Sequence, residues 1–169
     1  MQLVAAARAI LGAACLIALA ASVNAQDRRA SQQLEEKGFV SCAKVTGNVL
    51  EGLYEKSSYA FLNTWDQASP DKHTAATLTM RQFADGHAFV SVVTTPNAAG
   101  TCDAAYSQII PASAPCPKIL ETTFKAWKRY GDLAGVPVYV DPTWPNVTVI
   151  LVPTSGTSCL ILKSGVLFM

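Results

Sequence analysis

Histidine is nearly absent from this chain; His73 and His87 are the only two. The stretch between them, Thr74 to Phe83, reads as a strand, which at about 3.3 Å per residue sets them about 30 Å apart. A two-histidine site is therefore not expected. Each has an aspartate nearby in a turn, Asp71 and Asp85, so both read as solvated turn histidines. No C-x-x-C pair is present, and no G-x-G-x-x-G, G-x-x-x-x-G-K or calcium-loop spacing, so zinc, dinucleotide, phosphate-loop and EF-hand chemistry find no support. The nearest approach to a nucleophile elbow, Ser155-Gly156-Thr157-Ser158, departs from G-x-S-x-G and fits a hairpin turn. Glu51 and Glu55 lie four apart on the polar side of a helix, a solvated arrangement. No metal, no cofactor and no catalytic residue is assigned.

Charge of one sign is also lacking. Apart from Arg8 the chain carries twelve basic and twelve acidic residues. That balance offers no electrostatic footprint for nucleic acid or an anionic membrane surface.

A long uncharged run lies at the start. Arg8 is followed by an Ala/Leu/Ile-rich stretch to Ala21 and by Val23-Asn24-Ala25, after which Gln26-Asp27-Arg28-Arg29 turns polar. A short positive region, an apolar core and small residues ahead of the cut describe a secretory signal peptide, residues 1–25, removed after Ala25. The run is too alanine-rich for a membrane-spanning helix. Gly12 stands where a lipobox before Cys15 would have leucine, so lipidation is not expected. The product is read as exported, periplasmic or secreted, with no transmembrane span in the mature chain. A polar leader follows at 26–38, and then a single domain at 39–169.

Beyond Cys15 four cysteines remain, Cys42, Cys102, Cys116 and Cys159, an even number in a chain bound for an oxidising compartment. Two disulfides are expected. The short proline-rich span between Cys102 and Cys116 suggests that pair, which leaves Cys42 with Cys159.

From Phe39, the spacing of Cys42, Val45, Val49, Leu50 and Leu53 predicts a helix to about Lys56. Tyr59 to Trp65 fits either helix or strand. Thr74 to Thr95 reads as a hairpin turning at Asp85-Gly86, with Ala84 opposite His87 and a core face of Leu78, Met80, Phe89 and Val93. Phe89 to Val93 is expected to be a central strand covered on both sides. Tyr106 to Ile110 reads as a strand. Lys118 to Tyr130, with Leu120, Phe124 and Trp127 at helical spacing, reads as a second helix. Val136 to Val140 is a strand that Pro137 places at an edge. Val147 to Val152 and Cys159 to Leu162 form a last hairpin. The expected architecture is α+β: an N-terminal helix on a mostly antiparallel sheet of about five to six strands, with a second helix inserted before the C-terminal hairpin. No internal repeat is evident, and the strands are too few for an outer-membrane barrel.

Two segments are candidates for a binding surface; the competing readings are a Trp144 folded back as a lid over the core and basic residues on the solvated face of a helix. Asp141-Pro-Thr-Trp-Pro-Asn146 holds Trp144 between two prolines, with Asp141 and Thr143 beside it; an aromatic on a stiff loop loses little entropy when a partner covers it. Asn146-Val-Thr148 is also a glycosylation sequon, meaningful only in a eukaryote. Lys125, Lys128 and Arg129 form a basic patch interleaved with Trp127 and Tyr130. The expectation is a small exported protein-binding or accessory module, inhibitor-like or immunity-like, that meets another envelope or secreted protein. The alternatives are an envelope hydrolase whose site assembles only in three dimensions, and a carrier of an apolar ligand.

Overall fold

A computed structural model describes residues 30–54, 57–83, 86–154 and 157–169. The expected signal peptide and its expected cleavage site lie outside the described residues, as do Asp85 of the expected Asp85-Gly86 turn, Ser155-Gly156 and Glu55.

Among the described residues the chain forms one eight-stranded antiparallel sheet and three short helices: α1 (Ala30–Glu36), α2 (Ala43–Tyr54), β1 (Ala60–Thr64), β2 (Ala75–Phe83), β3 (Gly86–Pro96), β4 (Cys102–Ala112), α3 (Cys116–Thr122), β5 (Lys128–Leu133), β6 (Val136–Val140), β7 (Val147–Pro153) and β8 (Cys159–Leu167). The spatial order is β1-β2-β3-β4-β8-β7-β6-β5. The molecule is thus mostly β, and the expected helix on a five- to six-stranded sheet is overturned. The difference comes from the C-terminal half. The segment read as a helix to Tyr130 stops at Thr122, and Lys128 to Leu133 becomes β5. Phe124 and Trp127 still meet under the sheet, edge to face at 5.0 Å, so their spacing reflected burial and not a continuing helix. The β5–β6 hairpin closes through Ala134 and Gly135, both at positive φ (50° and 81°), between the paired residues Leu133 and Val136. That is the signature of the two-residue turn with both central residues left-handed. It makes β6 an interior strand, against the expectation for Pro137. The proline is tolerated because β6 pairs with β7 only over Val138 to Val140.

The other elements differ in detail. Tyr59 to Trp65 resolves as the strand β1, and α1 falls inside the stretch read as a leader, with Ala30 and Leu34 buried. In the β2–β3 hairpin Phe83, not Ala84, stands across from the next strand's first residue, so Met80 faces Phe89 and Leu78 faces Ser91. A slip of two residues leaves each side chain on its predicted face.

That face, however, is not the core. Helix α1 packs on β1 and α2, α2 lies over β3 and β4, and α3 lies over β7 and β8. All three cover the side carrying Thr77, Thr79, Val90, Val92, Thr94, Ala104, Val149 and Ile161, every one of them buried. The threonines are hidden because the helices supply partners. Tyr54 Oη lies 2.8 Å from Thr79 Oγ1, Thr46 Oγ1 lies 3.2 Å from Thr94 Oγ1, and Thr77 donates to Asn63 Oδ1 at 2.7 Å. Asn63 Nδ2 in turn donates to the Ala30 carbonyl at 3.0 Å, tying α1 to the sheet. Among the described residues no buried side-chain nitrogen or oxygen lacks a partner, as burial of polar groups requires.

The opposite face bears no helix and none of its side chains is fully buried. Cross-strand register arranges it in rows: a bulky one of Met80, Phe89, Ile109, Leu162 and Ile150, a row of hydroxyls Ser91, Ser107, Ser164 and Thr148, and a smaller apolar one of Ala76, Val93, Ala105 and Val166. Phe89 to Val93 is central, as expected, but covered on one side only.

Both expected disulfides form with different partners: Cys42–Cys102 and Cys116–Cys159, with Cα atoms 5.5 and 5.0 Å apart. The Cys102–Cys116 pairing fails because Cys102 opens an 11-residue strand and Cys116 follows its far end, a separation of roughly 30 Å. One bridge therefore pins each end of β4, since Ala112 faces Cys159 across β4 and β8.

The bridges also expose an internal repeat. In each half a helix preceded or begun by a cysteine leads into a four-stranded meander, and that cysteine bonds the first residue of the meander's last strand. The hairpins leading into those strands match in spacing. Val90-Ser-Val-Val-Thr-Thr-Pro96 and Val147-Thr-Val-Ile-Leu-Val-Pro153 each run, after five residues, into a cysteine that faces the proline: Cys102 faces Pro96 and Cys159 faces Pro153. The two halves join where β4 pairs with β8, with Ser107 directly opposite its counterpart Ser164. Among the described residues no helix is long and apolar enough to cross a membrane.

Candidate functional site

Trp144 sits on the connection between β6 and β7, which is closed by its own backbone. Asp141 Oδ1 accepts from the Thr143 and Trp144 amides at 2.8 and 3.2 Å, and the Asp141 amide donates to the Val147 carbonyl at 3.0 Å. The Val147 amide returns to the Trp144 carbonyl at 2.8 Å, and the Val166 amide donates to the Asn146 carbonyl at 3.2 Å, fastening the loop to β8. Two prolines stiffen what remains. The indole is 64% exposed. It is held out by an aspartate whose role is to cap the turn, the behaviour of short acidic side chains in such loops.

Trp144 and Pro145 border a pocket of about 490 Å³ whose far wall is α2. Leu53, Val147 and Leu167 make it largely apolar, while Asn48, Asp141 and Lys163 contribute polar groups. Tyr106 forms its floor. The tyrosine ring lies flat across Gly165 on the neighbouring strand, where a Cβ would stand 2.5 Å from Tyr106 Cε1. Glycine at 165 is thus what lets the ring lie down and keeps the pocket open. Lys163 Nζ stands 6.0 Å above the Trp127 ring, at the outer limit of a cation–π contact.

Burial pushes the Tyr106 hydroxyl above the ordinary tyrosine range, and the negative charge of Asp141 adds to the shift. Tyr54 is displaced the same way, again chiefly by burial. For an acid raised in the folded state, stability is complete below the unfolded value of about 10 and falls as pH rises beyond it. Urea midpoints should therefore be insensitive to these two groups up to about pH 9 and decline above about pH 10, less steeply in a Tyr106→Phe variant.

The sequence-derived candidates separate. Asp141, Thr143 and Trp144 come together in one hydrogen-bonded loop. Lys128 is not brought into that loop: it pairs across β5 and β6 with Val140, on the other face of the sheet. Arg129 is committed to Asp132, with Nη2 2.7 and 2.8 Å from the two carboxylate oxygens. Lys125 is exposed between α3 and β5. The basic patch is therefore not one helical face, because the helix it needed ends before it. Asn48, Tyr106 and Lys163 were not singled out by sequence reasoning; Lys163, a lone charge inside the most apolar strand, was the available signal.

His73 pairs with Asp66 at 3.4 Å with 60% of its side chain exposed, and His87 is exposed on β3. Neither is joined by both a carboxylate and a serine hydroxyl among the described residues. No group of three or more His, Cys, Asp or Glu positioned for a metal ion occurs among them either. Compared with family models, curated proteins and solved structures, the chain matches none.

Proposed function

We propose that this chain is an exported binding module, periplasmic or secreted, that grips another envelope or secreted protein through Trp144 and the pocket beneath it. The observation that carries the reading is the Trp144 loop itself: a large aromatic, 64% exposed, whose carbonyl and amide are both engaged in holding it there. A rigid exposed aromatic next to a concave apolar surface has the features of a binding hot spot. Two disulfides suit an oxidising compartment.

Capture from an envelope extract, with the oxidised parent beside Trp144→Ala, tests the proposal. The parent should retain one protein that the variant loses, and titration of that protein should show binding roughly 30-fold or more weaker for the variant. Equal retention by both would remove Trp144 from the contact and overturn the reading. The pocket's apolar walls favour one second reading, a carrier of a small apolar ligand. In native mass spectra that reading expects a retained small molecule, lost when Gly165→Leu pushes Tyr106 into the cavity.

A further inference from the structure

The open side of the sheet is unusual in what it exposes. Met80 is 48% accessible and Leu78 37%, while Thr77 and Thr79 beside them on β2 are buried; Ile109 on β4 is 37% accessible. Ionisable side chains are confined to its rim, at His87, Asp103 and Lys128. Eight strands spaced about 4.8 Å apart, crossed by three rows over about 20 Å of strand, make a face of roughly 700 Å². A row of hydroxyls divides it, so its apolar part alone falls within the range of about 300 to 600 Å² that monomers expose, while the whole face is close to the area of about 800 Å² per partner that a stable dimer buries. The sheet's edges are poorly suited to recruit another strand. β1 is only five residues long, and β5 carries a bulge at Tyr130 with Lys128, Arg129 and Asp132 along it.

We infer that two copies of this chain pair face to face through the open side of the sheet, forming a sandwich with the helices outermost. The rows make the face self-complementary. A two-fold axis along the line of hydroxyls sets Ser107 and Ser164 against their counterparts, and lays the bulky row of Met80, Phe89 and Ile109 on the smaller row of Ala76, Val93 and Ala105. Large meets small on both sides of the axis, as close packing between sheets requires. Because the self-association face and the Trp144 pocket lie on opposite sides of the sheet, the pair would present two outward-facing pockets. This inference does not depend on the function proposed for Trp144.

Sedimentation velocity on the purified, oxidised chain over roughly 1 to 100 µM tests it. The parent should sediment at twice the chain mass. Met80→Lys and Ile109→Lys should each weaken the pair at least about 100-fold, with their far-ultraviolet dichroism unchanged. Lys44→Glu on α2 and Trp144→Ala, both on the helix side of the sheet, should leave the doubled mass intact. A parent that stays at single-chain mass at the highest concentration overturns the inference. So does a doubled mass that survives both open-face lysines.

Discussion

Replacing Cys42, Cys102, Cys116 and Cys159 together by serine is expected to leave the chain unfolded without denaturant. Cys42–Cys102 and Cys116–Cys159 close loops with sequence separations of 60 and 43 residues that do not overlap. In the chain-entropy model each is worth about 4 kcal/mol. Because the loops are separate the contributions add, and about 8 kcal/mol consumes most of the 5 to 15 kcal/mol that stabilises an ordinary domain. Each bridge also anchors one helix layer: the first joins the start of α2 to β4, the second the start of α3 to β8. Removing one pair should therefore lower the unfolding free energy by about 4 kcal/mol in urea titrations. Removing both should abolish the cooperative transition. Retention of a parent-like midpoint by the four-serine variant would show that the helix layers hold without the bridges. Peptide mapping without reduction should recover the two stated pairs.

Much of the sheet was legible in the sequence because it rests on local signals. Val147 to Val152, Cys159 to Leu162 and the two runs around Gly86 carry β-branched residues at strand spacing, and they are strands. The even cysteine count was legible for the same reason. The pairing was not, because loop length alone favoured Cys102 with Cys116 and gave no hint that a straight 11-residue strand lay between them. β5 was hidden because Leu120, Phe124 and Trp127 share a helical spacing, although Phe124 and Trp127 reach the core after α3 has ended. The repeat was present in plain letters, in the two valine-rich strands that end in a proline separated by five residues from a cysteine. At the candidate site Asp141, Thr143 and Trp144 are adjacent in sequence, so their loop could be recognised. Tyr106, Asn48 and Lys163 come from three other elements, and only the β4–β8 pairing with α2 above it gathers them.

The largest error concerned which side of the β2–β3 hairpin is the core, and the reason is chemical. Leucine, methionine, phenylalanine and valine outrank threonine on any hydropathy scale, so the face of Leu78, Met80, Phe89 and Val93 reads as interior. Threonine can be buried at little cost when its hydroxyl is paired, and Tyr54, Thr46 and Asn63 provide those pairs. With the polar face satisfied by the helices, the apolar face is left for something larger than the monomer.

Two neighbouring substitutions on β2 separate the alternatives with a large difference in effect. Thr79 is 2% exposed under Tyr54, and Met80, the next residue, points the other way. Thr79→Lys buries an ammonium and removes the Tyr54 contact, so a loss of more than about 4 kcal/mol is expected. Met80→Lys keeps its charge in water in the separated chain, and a change within about 0.5 kcal/mol is expected there. Urea unfolding of both variants beside the parent, at a concentration low enough to keep chains apart, is the most direct measurement. Collapse of the Thr79→Lys variant with a parent-like midpoint for Met80→Lys is the predicted result. The reverse pattern would place the helices on the leucine and methionine side and contradict the account.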